Sequence, residues 1–313
     1  MTLALVFPGQ GSQSIGMLAN LAESFSRVKE TFQEASDALA YDLWRLVQEG
    51  PEEDLNKTHI TQPAMLAGGV AVWRVWQAQG GPLPTAMAGH SLGEYSALVA
   101  GGSISLNDAA LLVADRGRFM QEAVPAGVGA MAAILGLDDD KVIDVCNQAA
   151  ESEVVAAVNF NSPGQVVVAG NAGAVQRAVS LAKEAGAKRA VVLPVSVPSH
   201  CSLMKPAADR LAERLADTTI TMPSIPVYNN VDVKAESDPD LIRDALKRQL
   251  FCPVRWVDTI NTFAQQDVTH IVECGPGKVL VGLNKRINKQ MNAYSTLDVE
   301  SLEQALKAVQ GEG

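Results

Sequence analysis

Short apolar segments alternate with amphipathic helical patterns along most of the chain, and this alternation limits the fold more than any other feature. Leu3 to Phe7 is a continuous apolar run that ends in Pro-Gly, which is typical of a buried strand in a parallel sheet. Ala86 to Gly89 is a second such strand, and it leads directly into a helical pattern from Leu92 to Ala100. Strands that alternate with helices in this way predict βαβ units, and therefore an α/β fold with a parallel sheet.

Local signals give the expected limits of several helices. A proline suited to a first helical position and a glycine suited to a stop predict a helix from Pro63 to Gln79. Ser105 and the three residues after it are typical of a capping box, which predicts a helix from Leu106 to Ala123. A further helical pattern covers about Ala22 to Leu39.

The pattern changes after Gly127. A strand, a helix, two strands, a helix and a strand follow within about 70 residues, an order typical of the ferredoxin-like unit. The expected elements are Gly129–Leu135, Asp139–Ala150, Val154–Val158, Gln165–Ala169, Ala172–Ala185 and Arg189–Val195. The first pattern then resumes, with His270 to Glu273 as the expected last strand. We therefore predict a large α/β domain of residues 1–126 and 197–313, interrupted by a small inserted domain of residues 127–196.

Composition excludes several classes of protein. The chain carries 25 basic and 35 acidic side chains, a net charge of −10, so it would repel a nucleic-acid backbone. Its four cysteines lie far apart without a CxxC pair, which argues against a disulfide scaffold or structural zinc and favours a reducing cytoplasm. No apolar run approaches the roughly 18 residues of a membrane span, and no basic head of a signal peptide is present. We expect a soluble, cytoplasmic protein without a metal, and a monomer, because no apolar stripe demands a partner.

The segment Gly89-His90-Ser91-Leu92-Gly93 matches the GxSxG pattern of a nucleophile elbow. The glycines permit a sharp turn between strand and helix, so Ser91 would lie exposed at the helix N-terminus. There the backbone N–H of Leu92 can donate to a developing oxyanion. Roughly one chain in ten of this length contains the pattern by chance, but here a strand precedes it and a helix follows, as the mechanism requires. Ser91 is therefore interpreted as a nucleophile.

The segment Gly9 to Gln13 follows the first strand and resembles a nucleotide-binding loop in part. The third glycine of GxGxxG is missing, because Ser14 stands there, and Gly16 is not followed by the lysine of a P-loop. We interpret the backbone N–H of Gln10 as a second oxyanion donor beside that of Leu92. An ordinary glycine turn is the alternative.

Arg116 occupies an inward position on the helix that follows the elbow. The apolar stripe around it consists of Leu112, Val113, Phe119, Met120 and Ala123. A buried guanidinium needs an anionic partner, and the adjacent Asp115 points elsewhere on a helix. Two interpretations stay open: a structural ion pair or snorkelling stem, and a bidentate clamp on the carboxylate of a substrate.

A serine nucleophile needs a base, and His200 is the favoured candidate. It lies where the small domain returns to the large one and just before a helix, a position that favours a cleft and a neutral imidazole. His270 is the alternative, in a hydrolase-like order with Asp232 or Asp258. Two other histidines are set aside, one expected at the surface and one expected to point away from the serine: His59 and His90.

Several motifs occur in a fixed order along the whole chain. They are Phe7 to Gln13, Gln62-Pro63, Gly89 to Ser96, Arg116, Asn159 to Gln165, Pro198 to His200, Asn229 to Val231, Gln249, and Gly275 to Gly277. Together they resemble the bacterial malonyl-CoA:acyl carrier protein transacylase family of type II fatty acid synthesis, which is related to the acyltransferase domains of polyketide synthases. Each motif alone is weak, but their order and spacing make the resemblance specific.

This resemblance implies an α/β-hydrolase-like domain with a ferredoxin-like insertion and an active site in the groove between them. It implies that Ser91 attacks the thioester of malonyl-CoA and that His200 is the general base. Gln249 would help to hold the imidazole, so the site would be a Ser-His dyad without the usual carboxylate.

The resemblance also assigns the groups around the dyad. The backbone N–H groups of Gln10 and Leu92 would form the oxyanion hole, and Arg116 would bind the malonyl carboxylate. The branched side chain of Leu92 is the usual choice of the family for malonyl over methylmalonyl groups. Cys274 departs from the aliphatic residue of relatives and puts no catalytic role in doubt.

The implied reaction is an S-malonyl transfer in two steps through a serine ester, a ping-pong scheme that needs no cofactor. Malonyl-CoA is the donor, and the phosphopantetheine thiol of acyl carrier protein is the acceptor. Because such carrier proteins are strongly acidic, docking would need a local basic patch on this acidic chain. Candidates from the two domains are Lys188, Arg189, Lys285, Arg286 and Lys289.

Two other functions stay open at the level of sequence. One is a thioesterase or esterase of the α/β-hydrolase type, with Ser91, an aspartate and His270. The other is a non-catalytic module that binds carrier protein and only keeps the fold. Arg116 argues against a simple esterase, which needs no cation in its acyl pocket.

Overall fold

A computed structural model of the protein describes residues 2–195 and 197–311. Position 196, the predicted end of the inserted domain, lies outside the described residues, as do positions 1, 312 and 313 of the predicted large domain. The strands are β1 (Leu3–Phe7), β2 (Ala86–Gly89), β3 (Gly129–Leu135), β4 (Val155–Ser162), β5 (Gln165–Asn171), β6 (Arg189–Val192), β7 (Val227–Tyr228), β8 (His270–Glu273) and β9 (Asn292–Ser295).

The helices of the first half of the chain are α1 (Ala19–Ser24), α2 (Ser26–Leu39), α3 (Leu43–Glu49), α4 (Glu52–Leu55), α5 (Thr58–Ala78), α6 (Gly93–Ala100), α7 (Leu106–Ala123) and α8 (Asp139–Ala150). Those of the second half are α9 (Ala172–Glu184), α10 (Lys205–Asp217), α11 (Pro239–Gln249), α12 (Trp256–Gln265), α13 (Val279–Ile287) and α14 (Val299–Gln310). A 3₁₀ turn at Ser202–Met204 leads into α10.

One sheet is parallel, with the strand order β7-β2-β1-β8-β9. In this sheet Phe7 pairs with Gly89, and Val6 pairs with Glu273. The carboxyl ends of β1, β2 and β8 therefore meet at one edge, where the loops after these strands lie side by side. In open α/β sheets this edge is where ligands bind.

The period of two in β1 explains why a core lies on each face of the parallel sheet. Leu3, Leu5 and Phe7 pack with the helices on one face of the sheet, among them the long apolar helix α5. Ala4 and Val6 point to the other face and pack with residues of α12 and α13. All five residues of β1 are buried, as expected for a strand covered by helices on both faces.

The second sheet is antiparallel, with the strand order β4-β5-β3-β6. Helices α8 and α9 cover one face and form a separate core with it. The other face carries Met131 and Val167, which pack with Cys201. β4 is tied to the segment before α12 by main-chain bonds: Phe160 N–H donates to the Val254 carbonyl (3.0 Å), and Val254 N–H donates to the Val158 carbonyl (2.8 Å).

The alternation of strands and helices predicted an α/β fold with a parallel sheet, and this prediction is confirmed. Several predicted boundaries are wrong. The pattern over Ala22–Leu39 is two helices, because Phe25 has extended backbone (φ −131°) between them. The helix predicted from Pro63 begins at Thr58, so Pro63 lies inside it, where it lacks the backbone N–H that other helical residues donate.

Three predictions about the strands are also wrong. β4 continues to Ser162 rather than ending at Val158, and β6 ends at Val192 rather than at Val195. His270–Glu273 is not the last strand, because β9 pairs with it at the sheet edge. α14 follows β9. Its capping box is formed by Asp298 and Ser301, so the sequence lacks the glutamate or glutamine that usually marks such a helix start. In the described part of the chain no helix is long and apolar enough to cross a bilayer.

Candidate active site

Ser91 lies at a sharp turn between β2 and α6. Its backbone has a positive φ of 51°, a left-handed conformation that costs free energy for a residue with a side chain. The two flanking glycines are required by close packing: a Cβ on Gly89 would lie 1.8 Å from the carbonyl carbon of Gly93, and one on Gly93 would lie 2.0 Å from the carbonyl oxygen of Phe7. The GxSxG spacing therefore lets the strand end, the turn and the helix pack against one another.

Asn230, in the loop after β7, holds this turn from a distant part of the chain. Its Oδ1 accepts the backbone N–H of Ser91 (2.7 Å), and its Nδ2 donates to the backbone carbonyl of Gly89 (2.7 Å). Both sides of the strained turn are thus hydrogen-bonded to one buried amide, which offsets part of the backbone strain.

His200 lies directly against the serine. Its Nε2 is 2.8 Å from Ser91 Oγ, and its Nδ1 is 2.7 Å from the backbone carbonyl oxygen of Gln249. Because a carbonyl only accepts, Nδ1 carries the proton and Nε2 is left to accept the hydroxyl proton of Ser91. His200 is 3% exposed, and burial together with the nearby Arg116 lowers the pKa of its imidazole to about 3. The ring is therefore neutral at physiological pH and able to act as a base.

Arg116 points from α7 into the same site and is 1% exposed. It donates to Gln62 Oε1 (2.8 Å), to Gln249 Oε1 (3.0 Å) and to Ser91 Oγ (3.3 Å). The guanidinium carbon lies 5.5 Å from the centre of the Tyr95 ring. Burial lowers the pKa of Arg116, opposed by the neighbouring Tyr95 and Glu94. Within residues 2–195 and 197–311, every direct side-chain acceptor of this cation is a neutral amide or hydroxyl oxygen, so it can still take an anion.

The backbone of Gln10 and Leu92 borders the serine. Gln10 lies in the loop after β1, and His90 N–H donates to the carbonyl of Phe7 (2.9 Å), which brings this loop beside the elbow. Leu92 is the residue before α6, so its N–H points out of a helix N-terminus. No protein acceptor takes the backbone N–H of either residue within the described chain.

These groups line a cleft of about 230 Å³ between the two sheets. Its polar walls include Gln10, His90, Ser91, Arg116, Asn161 and His200. Its apolar walls include Met120, Met131, Val167, Leu193, Val195 and Val197. The His90 ring, half-buried, points across the cleft, and its Nε2 is 2.8 Å from Oδ1 of Asn161 on β4. The cleft therefore has one wall from each sheet, and the dyad lies at its base.

The alternative base, His270, is remote from this cleft. It pairs with Leu3, whereas the elbow follows the Phe7–Gly89 pair at the other end of β1, about 13 Å away for four residues of strand. The aspartates considered with it, Asp232 and Asp258, form ion pairs with Arg248 and Arg255. His59 is exposed, as the sequence predicted. The structure thus brings Ser91 together with one histidine, His200, and not with the hydrolase-like set.

The basic residues predicted to dock a carrier protein are all exposed: Lys188, Arg189, Lys285, Arg286 and Lys289. Leu135 pairs with Arg189 on one side and with Gln165 on the other, so these residues lie at one end of the small sheet. Arg286 of α13 donates to Gln165 Oε1 at 2.7 Å. Arg189 and Arg286, from the two predicted domains, are therefore brought to the same end of the small sheet.

Some residues of the site had no assigned role from local sequence patterns. Asn230, Gln62 and Glu94 all lie within the sequence motifs, but no local pattern gives any of them a role. Glu94 is the only charged residue in the otherwise apolar or small sequence of α6, Gly93–Ala100, and such a lone acid is a signal for a buried polar contact. Asn230 gives no such signal, because its partners lie more than 130 residues away. No group of three or more potential metal ligands is found among the described residues.

A strand-to-helix serine turn, a neutral histidine against its hydroxyl and a buried guanidinium in one cleft are typical of an enzyme that handles acyl groups. Residues 4–304 match the family model described as "Acyl transferase domain". The chain belongs to the acyl transferase family and is an acyltransferase, so the predicted enzyme class is confirmed.

Relatives with a stated activity are closely similar to this chain. The malonyl CoA-acyl carrier protein transacylase of Salmonella typhimurium is 60% identical over 303 residues, which cover 97% of this chain and 98% of that one. An acyl carrier protein S-malonyltransferase from Vibrio cholerae has a crystal structure with a TM-score of 0.95 and 60% identity, covering 97% of this chain and 99% of that one. A malonyl-transacylase solved in complex with a type II PKS acyl-carrier protein has a TM-score of 0.97 and 56% identity, covering 98% of this chain and 100% of that one. The predicted resemblance to this transacylase family is confirmed.

Proposed function

We propose that this enzyme moves a malonyl group from malonyl-CoA to the phosphopantetheine thiol of an acyl carrier protein, and so supplies chain-extender units for fatty acid biosynthesis. The observation that carries the proposal is the buried Arg116, whose guanidinium nitrogen lies 3.3 Å from Ser91 Oγ without a carboxylate among its hydrogen-bond partners in the described residues. A cation so placed suits an acyl group that ends in a carboxylate. The names of the relatives and the complex with a carrier protein agree with it.

In the first half-reaction Ser91 attacks the thioester carbonyl, and Nε2 of His200 takes the hydroxyl proton. The oxyanion of the tetrahedral intermediate accepts hydrogen bonds from the backbone N–H groups of Gln10 and Leu92, two residues that line the cleft with Ser91. The C–S bond then breaks, the CoA thiolate takes the proton from His200, and the malonyl group remains as an ester on Ser91.

The second half-reaction reverses these steps with a different thiol. His200 takes the proton of the phosphopantetheine thiol, and the thiolate attacks the ester carbonyl of malonyl-Ser91. The C–O bond of the ester breaks, and Ser91 recovers its proton from the imidazole. Each step is a proton transfer or an acyl transfer, so we propose that the reaction requires no cofactor.

Two side chains are proposed to select the acyl group. Arg116 binds the malonyl carboxylate in place of water. Leu92 presents a branched apolar side chain next to the nucleophile, which favours malonyl over methylmalonyl groups. Gln249 holds the imidazole of His200 through its backbone carbonyl, while its side chain contacts Arg116.

We further propose that the architecture is an α/β-hydrolase-like domain of residues 1–126 and 197–313 with a ferredoxin-like insertion of residues 127–196. The strand order β4-β5-β3-β6 and the two helices on one face support the ferredoxin-like description. The elbow at the end of β2 supports the hydrolase-like one. The first and last strands of the insertion, β3 and β6, begin at Gly129 and end at Val192, inside the proposed limits.

The carrier protein is proposed to dock on the exposed basic residues at the end of the small sheet. Arg189 and Lys285 belong to different proposed domains, and an acidic carrier protein would be attracted to both. Charge reversal in Arg189→Glu and Lys285→Glu should raise the KM for carrier protein and spare the KM for malonyl-CoA. An equal effect on both substrates would remove these residues from the docking surface.

Intact mass spectrometry after brief exposure to malonyl-CoA tests the proposed reaction. The wild-type chain should gain one malonyl group, Ser91→Ala should gain none, and a carrier-protein thiol should remove the group. Turnover of malonyl-CoA that needs no acceptor would instead indicate an esterase, and the absence of any adduct would indicate a binding module.

We propose a monomeric enzyme of the cytoplasm. All four cysteines are free, which fits a reducing compartment. Light scattering coupled to gel filtration tests the oligomeric state, and a mass near twice 33.1 kDa would contradict it.

A further inference from the structure

A carboxylate lies directly beneath the proposed acyl site. Glu94, in the first turn of α6, is 2% exposed. Its Oε2 accepts Nε2–H of Gln249 (2.8 Å) and the backbone N–H of Asn230 (2.9 Å). One carboxylate oxygen therefore holds two of the groups that contact the dyad and the elbow.

The Gln249 side chain, fully buried, connects this carboxylate to Arg116. Its Nε2 also donates to the backbone carbonyl of Ser91 (3.1 Å), and its Oε1 accepts from the guanidinium of Arg116 (3.0 Å). The partners fix the orientation of the amide, because the nitrogen faces only acceptors and the oxygen faces a donor. A single amide thus joins a buried anion to a buried cation.

Several other titratable groups lie near Glu94 or beyond Gln249. Asp232 is paired with Arg248, which lowers the pKa of Asp232. Glu236, half-buried, lines a small cavity together with Glu94. On the far side of Gln249, His200 is neutral, and burial raises the pKa of Tyr95 to about 12, so this phenol is neutral as well.

The charge of Glu94 itself changes near neutral pH. Burial raises the pKa of its carboxyl to about 7, although hydrogen bonds from Asn230 and Gln249 and the charge of Arg116 oppose this rise. The group that balances Arg116 is therefore partly ionised under physiological conditions.

We propose that Glu94 is a positioning residue that orients Arg116 through the amide of Gln249, and that its charge sets how strongly Arg116 binds an anionic acyl group. This inference rests on the proposed function, since it takes Arg116 as the group that holds the acyl carboxylate. When Glu94 is ionised, its negative charge partly neutralises the charge of the guanidinium and repels the incoming carboxylate. When Glu94 is protonated, the acyl carboxylate has the cation to itself, so the enzyme prefers anionic acyl groups more strongly.

The test compares an anionic with a neutral acyl donor. The rate of ester formation on Ser91 is measured with malonyl-CoA and acetyl-CoA from about pH 6 to about pH 8.5, and the malonyl preference is the ratio of the two values of kcat/KM. Because the CoA portion is common, its own ionisation cancels in the ratio. In the wild type the preference should fall about three- to tenfold as Glu94 ionises with rising pH.

Glu94→Gln keeps an oxygen that can accept both hydrogen bonds and removes only the charge. Its malonyl preference should be independent of pH and equal to that of the wild type at low pH. Glu236→Gln, at the other acid of the small cavity, is the matched control and should keep the wild-type slope. Glu94→Ala also loses the hydrogen bonds, so its kcat should fall with both donors.

Three results would overturn the inference: a flat preference in the wild type, the same slope in Glu94→Gln as in the wild type, or loss of the slope in Glu236→Gln. The first needs no variant and so decides the matter even if Glu94→Gln does not fold. Failure of the proposed function is seen separately, as a wild-type chain that gains no malonyl group at all.

Discussion

The side-chain oxygen of Asn230 lies 2.7 Å from the backbone nitrogen of Ser91, so a residue 139 positions away holds the main chain of the nucleophile. Asn230→Ala should leave the Ser91 N–H and the Gly89 carbonyl without their partner. We expect the free energy of unfolding to fall by about 1–3 kcal/mol and Ser91 acylation to slow at least tenfold. Urea denaturation and rapid-quench mass spectrometry measure the two effects.

The neighbouring Asn229 provides a matched control. Within the described part of the chain its side chain bonds to the backbone of Asp232 and Lys234 and not to the elbow, so Asn229→Ala should lower stability without slowing acylation to the same degree. A wild-type acylation rate in Asn230→Ala would show that the elbow keeps its geometry without this amide.

Gln249 contacts the dyad through its backbone and Arg116 through its side chain. Gln249→Ala should therefore keep the bond to Nδ1 of His200 and lose the anchor of Arg116. We expect malonyl-CoA to lose about tenfold in kcat/KM, the size of one hydrogen bond to a charged group, while acetyl-CoA loses much less. Gln62→Ala removes another anchor of Arg116 and should show the same selectivity. An equal loss with both donors would indicate that the Gln249 side chain supports the His200 imidazole and not Arg116.

The proposed base should work far below the usual pKa of histidine. Burial and the charge of Arg116 disfavour the imidazolium form of His200 and lower its pKa to about 3. Since the base must be neutral, acylation by acetyl-CoA should stay constant from about pH 8 down to about pH 5. In Arg116→Gln the positive charge is gone, so the acid limb should move to higher pH. Half-maximal acylation of the wild type near pH 6.5 would contradict the assignment.

Glu273 is a buried acid outside the site. Its Oε2 accepts the backbone N–H of Val281 (2.8 Å), and its Oε1 has no hydrogen-bond partner among the residues that the structure describes. Burial raises its pKa from 4.5 to about 7. The folded state thus holds this proton more tightly than the unfolded state, so stability falls as pH rises through this range. Glu273→Gln should be about 1–3 kcal/mol more stable than the wild type at pH 8, and the difference should shrink towards pH 4.5. Urea denaturation at several pH values measures it; a difference independent of pH would exclude the titration of Glu273.

Arg116 also offers a way to protect the ester from water. By fixing the malonyl carboxylate it would orient the ester away from attack until a thiol arrives. Arg116→Ala should therefore raise the ratio of free malonate to malonyl carrier protein severalfold, as measured by chromatography of the products. Arg118→Ala removes an exposed arginine two positions further along and serves as the control. An unchanged ratio in Arg116→Ala would remove this protective role.

Local sequence patterns predicted the parts of the fold and site that depend on near neighbours. The apolar run of β1, the helix N-cap at Ser105 and the strand-to-helix turn at Ser91 each follow from a few adjacent residues. Arg116 also stands out locally, because one charge interrupts an apolar helical stripe. The structure places this residue in the cleft and not on the surface.

The contacts around the dyad depend on chain topology and are not encoded locally. Ser91 meets His200 109 positions away, and the Gln249 side chain reaches the carbonyl of Ser91 over 158 positions. Periodicity and turn signals act over a few residues, so they could propose His200 and His270 alike. The pairing register of β1 separates these two histidines, because it places His270 at the end of the sheet opposite to the elbow, which His200 contacts.

The main-chain bonds between β4 and Val254 anchor the β4 side of the cleft. They do not depend on side chains, so substitutions of residues that line the cleft leave this side in place. We therefore expect a longer acyl chain to be admitted by displacement of the segment after β6 rather than of β4. Engineering for bulkier donors should begin at Leu193 and Val195, which line the cleft in that segment.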